Sequence, residues 1–208
     1  MAEREKPKFT EDEDMERARA FWKSNGSSIV GGIVLGLAAI VGYNYWQYLE
    51  KNEGEGASSL FDQIAAGKEA MTVADDLIEG YSGSPYASLG ALAAAKTAVE
   101  SNDIEKAKTY LNWILSNSKD EGILHIARLR LGAVLLSAKN SSEALSLLKI
   151  EEMSTFASRY HELIGDANVQ LGNVAEAKEA YQRSLDTSSI ASGGRQLIQL
   201  KLENVSGA

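Results

Sequence analysis

The feature that most restricts the fold of this chain is an internal repeat in its C-terminal half. The segment GDANVQLGNVAEAKEAYQRSL, which begins at Gly165, aligns with GAVLLSAKNSSEALSLLKIEE, which begins at Gly132, at an offset of 33 residues. A third copy, AAKTAVESNDIEKAKTYLNWIL, precedes them. Its second helix lies 37 residues before the second helix of the next copy. Periods of about 34 residues indicate a solenoid of antiparallel helix pairs. Proline, which interrupts helices, occurs only twice in 208 residues, so an all-α protein is expected.

Each copy places small and large side chains at matching positions. A small residue in the first helix and an alanine in the second allow close approach of the helices, and a large residue is predicted to fill the gap between pairs. The three sets are Ala95, Ala107 and Leu111; Gly132, Ala144 and Leu148; and Gly165, Ala177 and Tyr181. A last amphipathic helix, residues 192–205, is predicted to cover the end of the stack.

The turn inside each pair carries a candidate helix cap. Asp103, Asn140 and Asn173 each lie four residues before the alanine of the second helix. Their side-chain oxygens are expected to accept hydrogen bonds from exposed amides at the helix start. Glu143 and Glu176 stand three residues after the two asparagines, as a capping box requires. The first copy lacks this glutamate, so its cap is predicted to be the weakest.

A second feature is the stretch SSIVGGIVLGLAAIVGYNYWQYLE at residues 27–50. No charged residue occurs in residues 24–49, and an apolar part at about 29–46 just covers a hydrocarbon core of about 30 Å. Aromatic residues at both ends resemble an interface belt. The long, mixed-charge segment before it disfavours a cleaved signal peptide. We predict a single transmembrane helix at 24–49, with a buried helix of a soluble protein as the alternative.

The distribution of basic residues predicts the orientation of this helix. Arg17, Arg19 and Lys23 precede it closely, whereas Lys51 is the only basic residue in the twenty positions after Trp46. The positive-inside rule then places residues 1–23, with a short juxtamembrane segment, in the cytoplasm. A linker at 50–56 and a repeat domain at 57–208 are predicted on the other side of the membrane.

Four small residues fall on one stripe of the predicted membrane helix. They are Ser28, Gly32, Gly36 and Ala39, at spacings of four and three. Such a stripe permits close approach of a partner helix in the membrane. The alternative is that glycine is simply common in membrane helices.

Composition excludes several classes of function. A net charge of −8 and an isoelectric point near 4.9 argue against a nucleic-acid partner, because phosphate binding depends on clustered Lys and Arg. The chain has no cysteine, hence no disulfides and no thiolate sites. Its two histidines, His125 and His161, lie in no zinc motif, and no phosphate-binding loop occurs. A non-enzyme without cofactor or metal is therefore expected.

The series Gly165, Gly172, Ala177, Tyr181 and Ser184 resembles the tetratricopeptide repeat (TPR) pattern. Along essentially the whole chain, the order of an acidic tail, FWKSNGSSIVGGIVLGLAAIVGYNYWQ, YASLGALAAAKTAVESNDIEKA, RLRLGAVLLSAKNSSEAL and GDANVQLGNVAEAKEAYQRSL resembles the bacterial YfgM family. The resemblance implies an inner-membrane protein with a periplasmic TPR-like domain, acting as an ancillary subunit of the SecYEG translocon. It further implies a membrane-anchored periplasmic chaperone, PpiD, as partner, and the transfer of exported polypeptides to chaperones.

In a TPR the first helix of each pair lines the concave, partner-binding surface. By position, the residues predicted on that surface are Leu129 and Ala133 from the second copy and Arg159, Glu162 and Asp166 from the third. A scaffold that binds partners through this surface is the first hypothesis. The alternative is a regulatory protein that acts through its cytoplasmic tail, EDEDMERARAFWK, with the repeat domain as sensor or stabiliser.

Overall fold

The computed structural model of the chain describes residues 15, 39–43, 54–64, 66, 68–151, 153–187 and 192–207. The chain divides into two compact units, Met1–Asn52 and Glu53–Ala208. In the first unit, Met15 and residues 39–43 are helical and exposed. The rest of the predicted membrane span and of the predicted cytoplasmic tail lies outside the described residues. Within the part of the chain that is described, no helix is both long and apolar enough to cross a membrane.

The second unit is built from helices, and its described residues contain no strand. In chain order they are α1 (residues 54–64), α2 (Ala70–Gly80), α3 (Pro85–Glu100), α4 (Ile104–Asn117), α5 (Glu121–Ser137), α6 (Ser141–Leu148), α7 (Ala157–Leu171), α8 (Val174–Asp186) and α9 (Ser192–Ser206). From α2 to α9 each helix packs against the next, and α5 also contacts α3 and α7. This is the packing of stacked helix pairs, so the predicted all-α repeat architecture is confirmed.

The apolar core of this unit falls into three clusters. The main cluster runs through α2 to α7 and includes Leu111, Leu148 and Tyr160, each at most 1% exposed. A smaller cluster joins α1 to α2 and α3 around Leu77, and a third joins α8 to α9 around Ile198. The helices from α2 to α7 thus share a core that continues from pair to pair, and α8 belongs to the separate cluster with α9.

The predicted matching of small and large residues is present inside the second and third pairs. A Cβ at Gly132 would lie 2.8 Å from Leu148 Cδ2, and one at Gly165 would lie 2.5 Å from Tyr181 Cδ1. The large side chain therefore fills the gap to its own first helix. That it also fills the gap between pairs stays a prediction, because Leu111 and Tyr181 line cavities between α3 and α5 and between α5 and α7. A further such contact, Gly90 against Leu77, has no counterpart in the sequence alignment.

The three turns inside the pairs share one backbone conformation. Asn102, Lys139 and Gly172 adopt positive φ angles of 60°, 64° and 79°. The next residue in each turn donates its backbone N–H to a carbonyl five residues back, at 2.7–2.9 Å: Asp103 to Ala98, Asn140 to Leu135 and Asn173 to Asn168. This is the Schellman motif, which satisfies the last carbonyls of the first helix. These three positions lie 37 and 33 residues apart, which are the offsets of the sequence repeats.

The observed caps reverse the predicted order. Asp103 caps its helix by accepting from the Lys106 N–H at 3.1 Å, whereas the side chains of Asn140 and Asn173 cap nothing. A capping box needs a glutamate bonded to the backbone N–H of the cap residue. The backbone N–H groups of Asn140 and Asn173 are already donated to carbonyl groups of the preceding helix, so no capping box forms there. The side chain of Asn173 instead donates to Asn168 Oδ1 at 3.2 Å.

Lys139→Gly is expected to raise the free energy of unfolding by about 1 kcal/mol, because lysine at a positive φ carries a steric cost that glycine avoids. Urea unfolding followed by circular dichroism measures the change. Gly172→Lys in the matching turn is the control and should lower stability by a similar amount. An unchanged or lower stability of Lys139→Gly would contradict the role assigned to the positive φ.

The start of the repeat unit differs from the predicted linker at 50–56. Residues 54–56 are helical and belong to α1. Gly56 packs against the ring of Tyr81, where a Cβ would lie 2.5 Å from the hydroxyl oxygen, and Ala57 is completely buried. Tertiary contact thus supports helix in a glycine-rich sequence that by itself favours a turn.

Candidate functional site

Two cavities lie on the surface formed by the first helices of the three pairs, α3, α5 and α7. We call this surface the A-helix face. One cavity, of about 320 Å³, lies between α3 and α5, and the other, of about 440 Å³, lies between α5 and α7. Ala133 of α5 lines both of them. The two cavities therefore adjoin each other on one face of the stack.

The cavity between α3 and α5 is apolar inside and charged at its edge. Its apolar lining residues are Ala95, Val99, Leu111, Ala133 and Val134. Lys96 and Glu100 pair with each other at 3.6 Å, and Arg130 Nη1 donates to the Leu92 carbonyl at 3.2 Å. An apolar interior with polar groups at the margin suits an aliphatic or aromatic side chain of a partner.

The cavity between α5 and α7 is more polar. Ser141 donates to Gln170 Oε1 at 2.7 Å, and Gln170 Nε2 donates to the Leu136 carbonyl at 3.3 Å. These bonds tie the second repeat to the third. Lys139, which lies in the turn of the second repeat, is exposed at the margin of this cavity.

An ion-pair cluster borders this polar cavity. Glu162 accepts from Arg159 at 2.5 Å and from Lys201 of α9 at 2.8 Å. Asp166 accepts from Lys201 at 2.8 Å on both oxygens and from the Tyr181 hydroxyl at 2.8 Å. Four charged groups and one phenol thus hold three helices together.

The pKa values in this cluster follow from burial and hydrogen bonding. Burial by itself raises the pKa of Glu162, but the hydrogen bonds from Lys201 and Arg159 outweigh it and hold that pKa below its usual value. Burial, together with the bond to Asp166, raises the pKa of Tyr181. Near neutral pH, Glu162 is therefore ionised and Tyr181 remains a hydrogen-bond donor.

The predicted contact residues fall into different environments. Ala133, Arg159 and Asp166 line the polar cavity, and Glu162 is buried beside them. Leu129 is only 8% exposed, and its side chain belongs to the main core. A surface contact by Leu129 does not agree with this burial. Ala133, Arg159 and Asp166 lie together on one part of the A-helix face, and Glu162, itself buried, is joined to them by its ion pair with Arg159.

The small-residue stripe of the predicted membrane helix falls largely beyond what the structure describes. Ser28, Gly32 and Gly36 lie outside the described residues. Ala39 is helical and exposed. Contact between this stripe and a partner helix stays a prediction.

Sequence reasoning did not find Lys201, the residue that completes the cluster. The available signal was its position in the apolar run LIQLKL of α9, where it is the only charged residue and lies three residues after Ile198. Its partners Glu162 and Asp166 lie 39 and 35 residues away in sequence. No local spacing rule connects residues so far apart.

The two histidines have structural surroundings. His125 Nδ1 lies 2.9 Å from the Tyr160 hydroxyl, and the His125 ring stacks on Phe156 at 5.2 Å. Burial and then the charge of Arg183 lower the pKa of His161, which lines a cavity of about 480 Å³ between α7 and α8. Among the residues that the structure describes, no group of three His, Cys, Asp or Glu could hold a metal ion.

Comparison with curated proteins finds relatives that share one name. Proteins called "Ancillary SecYEG translocon subunit" from Haemophilus influenzae, Escherichia coli and Neisseria gonorrhoeae are 28%, 25% and 28% identical to this chain. In each case the match covers 94% of this chain and 97% of the relative. These relatives confirm the resemblance seen in the sequence.

The repeat architecture also agrees with a family assignment. No solved structure matches the chain significantly. A family profile described as "Tetratricopeptide repeat-like domain" matches residues 19–207, which is most of the chain. The chain therefore belongs to the family of tetratricopeptide repeat-like domain proteins.

Proposed function

We propose that this protein is a non-catalytic interaction scaffold and an ancillary subunit of the Sec translocon. The observation that carries this proposal is the match to translocon subunits over nearly the full length of both chains. TPR-like domains act by presenting a surface to other proteins rather than by chemistry. Residues 24–49 are the proposed membrane anchor, with residues 1–23 in the cytoplasm and the repeat domain in the periplasm.

The A-helix face is the proposed contact surface. Its support is the pair of adjoining cavities, one apolar and one polar, that share Ala133. In an extended polypeptide every second side chain points to the same side, so one such segment can reach both cavities with residues of different polarity. The proposed partners are SecYEG, exported polypeptides and a PpiD-like chaperone to which those polypeptides are passed.

Site-specific photocrosslinking in intact membranes tests this proposal. A photoreactive amino acid replaces Ala133, and the protein is produced at its native level. Adducts with a translocon component, a periplasmic chaperone or an exported chain are expected on irradiation. The matched control places the same group at Asn112, which is exposed on α4, a second helix.

The comparison of the two positions decides the outcome. Adducts from position 133 and none from position 112 support the A-helix face. Equal adducts from both positions would remove the assignment to this face. Failure to recover any translocon or chaperone component from either position would contradict the scaffold itself.

The proposed membrane stripe is tested in parallel. Replacing the predicted span with a polyleucine helix removes Ser28, Gly32, Gly36 and Ala39 while keeping an anchor. Loss of co-purifying translocon components would assign recognition to the stripe. Their retention would assign recognition to the repeat domain.

A further inference from the structure

Helix α9 is attached through an apolar cluster of its own. The cluster joins α8 to α9, and its residues are Ala177, Tyr181, Leu185, Ile198, Leu202 and Val205. None of these residues belongs to the main cluster that runs through α2 to α7. Since local opening follows cooperative packing units, α9 can detach while the main cluster of α2 to α7 stays closed.

The polar contact of α9 is a single lysine. Lys201 reaches both Glu162 and Asp166, each at 2.8 Å, and Arg159 contributes the second positive charge of the cluster. Without Lys201, two carboxylates would face one cation, at a place where the Glu162 side chain is only 8% exposed. A poorly solvated, uncompensated charge is unfavourable. Departure of Lys201 is therefore unfavourable unless another cation takes its place.

The position occupied by Lys201 adjoins the cavities of the A-helix face. Asp166 and Arg159 line the polar cavity, and Ala133 connects that cavity to the apolar one between α3 and α5. A polypeptide lying along this face can place an apolar side chain in the first cavity and a cationic side chain on the two carboxylates. The lysine already bound there shows that the size and charge of a lysine fit.

We propose that α9 is a detachable latch, in which Lys201 occupies the position that a lysine or arginine of an extended, unfolded polypeptide takes when that polypeptide binds the A-helix face. The partner class is thus an unfolded segment that carries an apolar residue near a cationic one. This inference rests on the proposed function, since it uses the same face. It adds a specificity for cationic segments and a competition between α9 and the bound chain.

Peptide binding to the intact protein in mild detergent tests the latch. The probe is a fluorescent Gly–Ser peptide with one leucine and one lysine, and a matched peptide carries norleucine in place of the lysine. Lys201→Met is expected to bind the lysine peptide about tenfold more tightly than the unaltered protein, because the competing cation is gone. Adding Glu162→Gln to Lys201→Met should abolish this gain.

Two controls separate the latch from trivial effects. Lys119→Met makes the same change in net charge outside the A-helix face and should leave binding unchanged, and Lys201→Arg retains a cation and should bind like the unaltered protein. Lys201→Met must not bind the norleucine peptide more tightly than the unaltered protein does. Equal affinity of Lys201→Met and the unaltered protein, or an equal gain for both peptides, would overturn the proposal.

Hydrogen exchange of the unaltered protein provides a measurement that needs no variant. Saturating lysine peptide is expected to speed the exchange of the α9 amides and leave that of α4 unchanged. Binding of the lysine peptide without faster exchange in α9 would overturn the latch, even where Lys201→Met fails to fold. In that case adducts from position 133 would still support the scaffold, so the two proposals fail separately.

Discussion

Leu148→Ala is expected to lower the free energy of unfolding by about 3 kcal/mol, because it removes a large side chain from a closely packed site. Leu148 is completely buried in the main core. It packs into the space left open by Gly132 on the partner helix of the same pair. Urea unfolding of the intact protein in detergent, followed by circular dichroism, measures the loss.

A double-mutant cycle shows whether the pair acts as one packing unit. Gly132→Ala by itself should cost about 1–2 kcal/mol, since its Cβ would lie 2.8 Å from Leu148 Cδ2. In the double variant the new methyl group occupies part of the space that Leu148→Ala vacates. The combined loss should therefore be smaller than the sum of the two by about 1 kcal/mol. Strict additivity would contradict direct packing of Gly132 on Leu148.

Gly165→Val is expected to cost about 3 kcal/mol, because it forces a branched side chain into the ring of Tyr181. A Cβ at Gly165 would lie 2.5 Å from Tyr181 Cδ1, and the ring is only 2% exposed. The ring cannot swing away freely, since its hydroxyl donates to Asp166 at 2.8 Å. The same strain should also weaken the ion-pair cluster and speed hydrogen exchange in α9.

Gly80→Ala is the control for Gly165→Val, because Gly80 ends α2 and has space around it for a side chain. A Cβ at Gly80 meets nothing within 4 Å. Alanine favours helix over glycine, so the stability of Gly80→Ala should be unchanged or higher by up to about 1 kcal/mol. A comparable loss at Gly80 and Gly165 would contradict contact with Tyr181 as the reason that glycine is needed at position 165.

The sequence alone determined the repeat, its helix pairs and the positions of close approach. The offsets of 33 and 37 residues recur in the structure as identical turns at Asn102, Lys139 and Gly172. Gly132 and Gly165 contact the large residues that the alignment pairs with them. These features are predictable because helical periodicity and turn conformation depend on residues close together in the chain.

The tertiary structure decided which polar groups find partners. Asn140 and Asn173 are good cap residues by sequence, yet neither side chain caps its helix, and that of Asn173 donates to Asn168 Oδ1 instead. Leu129 matches a surface position by alignment, but the packing of α5 in the main core buries it. Burial and hydrogen-bond competition depend on every helix that surrounds a residue, and a local pattern contains no such information.

The ion-pair cluster shows this limit most clearly. The sequence marked Arg159, Glu162 and Asp166 as members of one helix face, since they recur at intervals of three and four residues. Only the packing of α9 brought Lys201 to them, across separations of 39 and 35 residues. The sequence by itself thus determined which side chains share a helix face. The tertiary structure alone decided that Lys201 contacts that face, because contacts between distant residues depend on how the helices pack.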